Sequence, residues 1–135
     1  KFLDSLDLKS LTILHIVRVP VELVLYYLFI DKVIPEDMTF TGRNFDIIMG
    51  LTAPLMYYSA FNKKYSQQIL LAWNILGVIL LVNIVVVAVL STTTPLQQFG
   101  FDQPNVAIAH FPFNWLPSVV VPIVFLAHFA ALRKL

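Results

Sequence analysis

The chain has 135 residues, of which 59% are hydrophobic and only 13% charged, with a formal net charge of +1 and no cysteine. A soluble domain carries about 25% charged residues, so there is too little charge here to cover a water-facing surface. The near-neutral balance, with no basic run longer than Lys63-Lys64, argues against a nucleic-acid surface, and the missing cysteines exclude disulfides, thiol catalysis, thiolate zinc sites and iron–sulfur clusters.

The first ten residues, "KFLDSLDLKS", have no apolar h-region and are no signal peptide; a start at Lys1 rather than Met suggests a piece of a longer chain. Four apolar segments then approach the roughly 17–25 residues that a spanning helix needs. They cover about 11–30, 45–61, 69–90 and 115–132. The expected fold is an all-α integral membrane protein, a single antiparallel bundle of four transmembrane helices over 1–135. The second segment is short, so Asp46 must lie in it or at its rim. The third, Ile69 to Leu90, carries no charge at all.

The connections differ in character. Residues 31–44, "DKVIPEDMTFTGRN", are polar. "NKKYSQ" is short and basic, which implies antiparallel neighbours. The stretch 91–114 has no Lys or Arg and holds Phe99, Phe101, Phe111 and Phe113. Such a loop is expected in the headgroup region or folded back over the bundle. Lys1, Lys9, Lys63, Lys64, Arg133 and Lys134 fall on one side, Lys32 and Arg43 on the other. Counting positive charge places the first side, with both termini, in the cytoplasm.

The opening span raises the functional question, because "HIVRVPVELVLYYLF" places Arg18, Pro20 and Glu22 inside an apolar run. A charge at the bilayer centre costs at least about 2.5–3.5 kcal/mol. His15, Arg18, Glu22 and Tyr26 share one helix face, so that face is expected to turn into the bundle. Arg18 and Glu22, four apart, can pair directly. Pro20 frees the carbonyl of Ile16. As a ligand or proton site the stripe is functional; as a clamp it only locks helices together.

Elsewhere, Asn44 reads as the N-cap of the second helix, near Arg43 and Asp46 at its outer start. Trp73 and Asn74 come level with Arg18, though Asn74 can equally be packing glue and Trp73 can face lipid. Asn83 lies half a turn from Asn74, so the two amides serve different places. His15 and His128 share a depth on two helices, as a bis-histidine haem requires, but histidines in membrane proteins are also often interfacial. Pro122 predicts a kink in the last helix. No nucleophile motif, HExxH or phosphate-binding loop is present, which gives soluble-enzyme chemistry no foothold.

"RVPVELVLYY", "MTFTGRNFDIIMGLTAP" and "FPFNWLP…VP…H…LRKL" resemble an uncharacterised family of bacterial multi-pass inner-membrane proteins, over nearly the whole chain. The resemblance implies Arg18, Glu22, Asn44 and Asp46 as signature positions and a bacterial cytoplasmic-membrane location, and supplies no chemistry. "PVEL" is also faintly similar to the P-x-E-E motif of membrane lycopene cyclases, but Leu23 replaces the second carboxylate that their chemistry would need.

Three classes of function stay open. One is small-molecule or lipid binding or transport through Arg18, Glu22, Tyr26, Asn44, Asp46, Trp73 and Asn74. Another is a structural or assembly subunit, paired with other membrane subunits or with itself. The last is a membrane enzyme or haem-binding cytochrome with His15 and His128 as ligands.

Overall fold

A computed structural model describes residues 1–62 and 64–135. Lys63, counted above among the cytoplasmic charges, lies outside the described residues. Among them the structure is all helical, with no strand. Three helices are long and apolar enough to cross a membrane: α1, Leu8–Ile30, and two others, Ser66–Leu90 and Leu116–Lys134.

The fourth expected span is corrected. The helix in that region, α2, covers Ile47–Ser59, 13 residues, or about 20 Å of rise against a hydrocarbon core of about 30 Å. The expected window counted apolar residues from 45 onward, but Phe45 precedes the helix and Ala60–Asn62 winds as a 3-10 turn. Ser66–Leu90 is α3 and Leu116–Lys134 is α4.

α1 starts on Asp7, whose carboxylate accepts from the Ser10 N–H at 3.1 Å, as an N-cap should. His15–Val17 tightens into a 3-10 turn just before Pro20. Proline cannot donate to the Ile16 carbonyl, and the turn relieves the ring's clash with it. Pro122 acts similarly in α4, where Leu116–Val120 widens into a π-helical turn around the Ser118 carbonyl.

α1 closes at the far end with Lys32 in the left-handed region, φ 63°. The Lys32 and Val33 N–H groups bond back to the Phe29 and Leu28 carbonyls at 2.9 and 3.1 Å, a Schellman arrangement that reverses the chain. From there 31–46 does not leave the bundle. It runs back down beside α1 and α3, burying Ile34, Met38, Thr39 and Asn44 completely or nearly so. Its buried side chains and its own backbone hydrogen bonds, such as the Asn44 N–H to the Thr39 carbonyl at 3.2 Å, tie this irregular stretch to the bundle.

α2 then carries the chain to the end where the termini meet, and Arg133 Nε lies 3.2 Å from Asp4 Oδ1. At the opposite end the long loop folds back over the bundle. Gln103 donates to the Phe29 carbonyl at 2.9 Å, and the Val106 N–H donates to the Val33 carbonyl at 3.0 Å. Only 28%, 33% and 28% of the three long helices' apolar windows is buried inside the protein. The remainder, including Leu23, Ile79, Ile123 and Phe129, forms an apolar exterior suited to hydrocarbon.

Candidate functional site

Arg18 is the centre of the site, and its surroundings come from all four helices. It sits 12 residues before the end of α1, about 18 Å below it by helical rise. Its side chain is 2% exposed, and Nη1 lies 3.0 Å from Asp46 Oδ1. Nη2 lies 2.9 Å from His128 Nε2. An arginine can only donate, so Nε2 must accept and the His128 proton sits on Nδ1. Nδ1 in turn donates to Asn74 Oδ1 at 2.8 Å, and Asn74 Nδ2 donates to the Leu70 carbonyl at 2.9 Å. A continuous polar chain therefore joins Asp46, Arg18, His128 and Asn74.

The expected Arg18–Glu22 pair is not the one formed. Glu22 Oε2 accepts from Asn44 Nδ2 at 2.7 Å, while the ion-pair partner of Arg18 is Asp46. The reason is the descent of 31–46. The Arg43 carbonyl accepts from Asn83 at 2.8 Å, about 10 Å inside the end of α3. Asn44 meets Glu22 about 12 Å inside the end of α1 by the same rise. Asp46 then arrives beside Arg18. The sequence places Asp46 at the outer start of the second helix, and only the descent of the loop brings it to Arg18.

Asn44 is not the N-cap of α2; that position is Asp46, which makes no side-chain cap. Instead Asn44 donates to Glu22 and to the Met38 carbonyl at 3.0 Å, and accepts from the Asp46 N–H at 3.0 Å. One amide thus fixes the carboxyl of α1, the loop and the start of α2.

Two glycines let the elements come this close. A Cβ on Gly50 would lie 2.8 Å from Val19 Cγ2 and 3.2 Å from Arg18 Cβ, so α1 and α2 cross here at backbone distance. A Cβ on Gly77 would collide with the imidazole of His128. Gly77 and His128 as an Arg18 ligand are the members that sequence reasoning missed. The signal for Gly77 was available, since a lone glycine in an apolar helix marks a close approach.

Trp73 does not face lipid. Its Nε1 donates to Thr52 Oγ1 at 2.9 Å, and its ring meets His15 edge-on at 5.3 Å. Tyr26 is not brought to the site; it is half-buried and stacks on Phe40 at 5.2 Å. His15 is fully buried, and among the described residues neither of its ring nitrogens has a hydrogen-bond partner.

A haem does not fit these histidines. The His15 and His128 rings stack face to face, centroids 3.9 Å apart at 23°, whereas axial ligands must hold a porphyrin between them. Both His128 nitrogens are already engaged.

A cavity of about 230 Å³ rises from the charged cluster toward the loop end. Arg18, Glu22 and Asp46 form its buried floor, and its walls are mainly apolar, among them Leu25, Leu81, Ile84, Val120 and Val124, with Asn105 and Thr92 as polar exceptions. Val89 and Pro117 line it where the helices become exposed. Along α3 the lining runs from Leu81 to Val89, about 12 Å. Among the described residues the cavity lining holds no nucleophile–base pair. It can hold an apolar body with a polar end directed at Arg18 and Asp46.

Residues 4–135 match the family model described as "Domain of unknown function (DUF8737)". The chain belongs to that family, in accord with the resemblance to an uncharacterised one. No curated protein and no solved structure matches it.

Proposed function

We propose that this DUF8737 member is a membrane-embedded binding protein that holds a small apolar or lipid-like molecule, in the manner of a carrier or transporter. The observation that supports this reading is the cavity with apolar walls that ends on three buried ionisable side chains. A pure packing clamp would need the charges but not the space above them. Ligand sites are typically concave, mostly apolar and furnished with a few convergent polar groups. Under the same proposal the three long helices span a bacterial cytoplasmic membrane, with both termini of this segment on the cytoplasmic side. The excess of Lys and Arg near the termini supports that orientation.

The assembly-subunit reading has its own support, because His128, Asn44 and Asn74 spend their hydrogen bonds within the chain. Mass spectrometry of material extracted with the purified full chain separates the two. Val120→Trp fills the cavity from a partly exposed position, and Ile79→Trp is the control on the exposed face. A binder should release a stoichiometric apolar molecule that falls at least tenfold in Val120→Trp and persists in Ile79→Trp. Identical extracts from all three proteins would reject the binding reading.

A further inference from the structure

Resting on that binding reading, we infer that the ligand enters the cavity sideways from the bilayer, through a mouth between α3 and α4 in the leaflet on the loop side. The ligand is then the hydrocarbon chain of a membrane-resident lipid, not a solute taken up from water. The two helices fix where the mouth lies. They touch where Gly77 meets the His128 ring, with no room for a Cβ. Val89 stands 12 residues beyond Gly77 and Pro117 stands 11 residues before His128. Both therefore lie about 17 Å further toward the loop by helical rise. At that level both line the cavity and both are exposed, so the cavity reaches the surface between the two helices.

The end that faces water is covered by the long loop. The Phe99 N–H donates to the Leu90 carbonyl at 3.1 Å and the Asn105 N–H to the Ser91 carbonyl at 2.9 Å, which fastens the loop to the end of α3. Gln103 and Val106 fasten it to the end of α1 and to Val33. Asn105 and Ile108 of this loop line the cavity at its loop end.

The rim has the chemistry of a lipid-facing opening. Val85, Val89, Pro117, Val120 and Val121 edge it, with Thr92 as the polar exception just past α3. Between Lys64 and Arg133 the sequence holds a single charged residue, Asp102. Water at such a rim would hydrate apolar surface at a cost, whereas hydrocarbon would not. Phe111 and Trp115 are 77% and 56% exposed just before α4, as residues of an interfacial aromatic belt are. Pro117 lies about 3 Å further in than Trp115, which sets the mouth just inside the hydrocarbon boundary. Its α4 edge is the π-helical turn Leu116–Val120, a form that recurs at functional sites.

The chain has no cysteine, so a pair placed across the mouth reacts alone. The full chain carrying Val89→Cys/Pro117→Cys is reconstituted in phosphatidylcholine nanodiscs, a fraction of the lipid bearing a diazirine midway along one acyl chain. The pair is bridged with a short bismaleimide or left unreacted. After illumination, peptide mass spectrometry reads the label on Leu81 and Val124, cavity walls only 3% and 2% exposed. The unreacted pair should carry that label. Bridging should lower it by at least tenfold while label on the exposed Ile79 is unchanged. Label that survives bridging but is lost in Val120→Trp would overturn the lateral mouth and leave the binding cavity in place. A pair that cannot be bridged would also overturn it, by setting Val89 and Pro117 on separate faces. Absence of label on Leu81 and Val124 in the unreacted pair would reject lipid entry, and the binding reading would then stand or fall on the extracted molecule alone.

Discussion

The half of the bundle nearest the termini and the half nearest the long loop are built differently, although α1, α3 and α4 run through both. In the terminal half α2 lies beside α1, with Met49, Ala53 and Leu70 essentially inaccessible, and Gly50 brings α1 and α2 to backbone contact. In the loop half α2 is missing. Its place is taken by the irregular stretch 31–46, and the space that a fourth helix would fill is in part the cavity. The charged residues sit where one regime gives way to the other. Asp46 is at once the last residue of the irregular stretch and the N-cap of α2. A short helix is thus what permits both the cavity and its polar floor.

This contrast can be attacked at three strengths. The largest effect should come from the junction. Arg18→Met removes one member of a buried ion pair and leaves Asp46 and His128 facing apolar surroundings, a change that costs about 3–5 kcal/mol. Reversible unfolding in mixed micelles should show a loss of that size, and a loss below about 1 kcal/mol would mean the junction is not dry.

Next comes the tight packing of the terminal half. Alanine is ordinarily about 1 kcal/mol better than glycine in a helix. Gly77→Ala should nevertheless destabilise, by about 1–3 kcal/mol, because its Cβ displaces His128 from Arg18 and Asn74. A stabilised variant in the same unfolding assay would show that the imidazole is not seated against α3.

The smallest effect belongs to the loop half. Val120→Trp adds volume where space already exists, so it should change stability by less than about 1.5 kcal/mol. A loss as large as that of Gly77→Ala would show the loop half to be as closely packed as the terminal half.

How much of this was legible in the sequence depended on whether a local rule decided the matter. The three long helices follow from uninterrupted apolar composition, and the inward turn of His15, Arg18 and Glu22 follows from the cost of charge in hydrocarbon. Tyr26 shares their helical face but not their fate. A tyrosine tolerates a half-buried interface, so nothing forced it inward and Phe40 claimed it.

The pairing of Arg18 was not legible. Helical spacing favours Glu22 at four residues, but the partner actually chosen, Asp46, arrives only because Ile34 and Met38 pull the loop down into the bundle. No window of composition announces such a descent. Asn44 illustrates the same limit: its type suited a cap, and tertiary structure used its amide to tie Glu22 to the loop. The short α2 was overestimated for a related reason, since hydropathy counts side chains and does not register where helical hydrogen bonding begins.

The most direct test of this arrangement is a pair of double-mutant cycles that share Arg18→Met, one with Asp46→Asn and one with Glu22→Gln, read as unfolding free energies. The contact seen here predicts coupling of about 2–3 kcal/mol between Arg18 and Asp46 and clearly less between Arg18 and Glu22. The reverse order would contradict it, placing residues 31–46 outside the bundle and removing the floor on which the cavity ends.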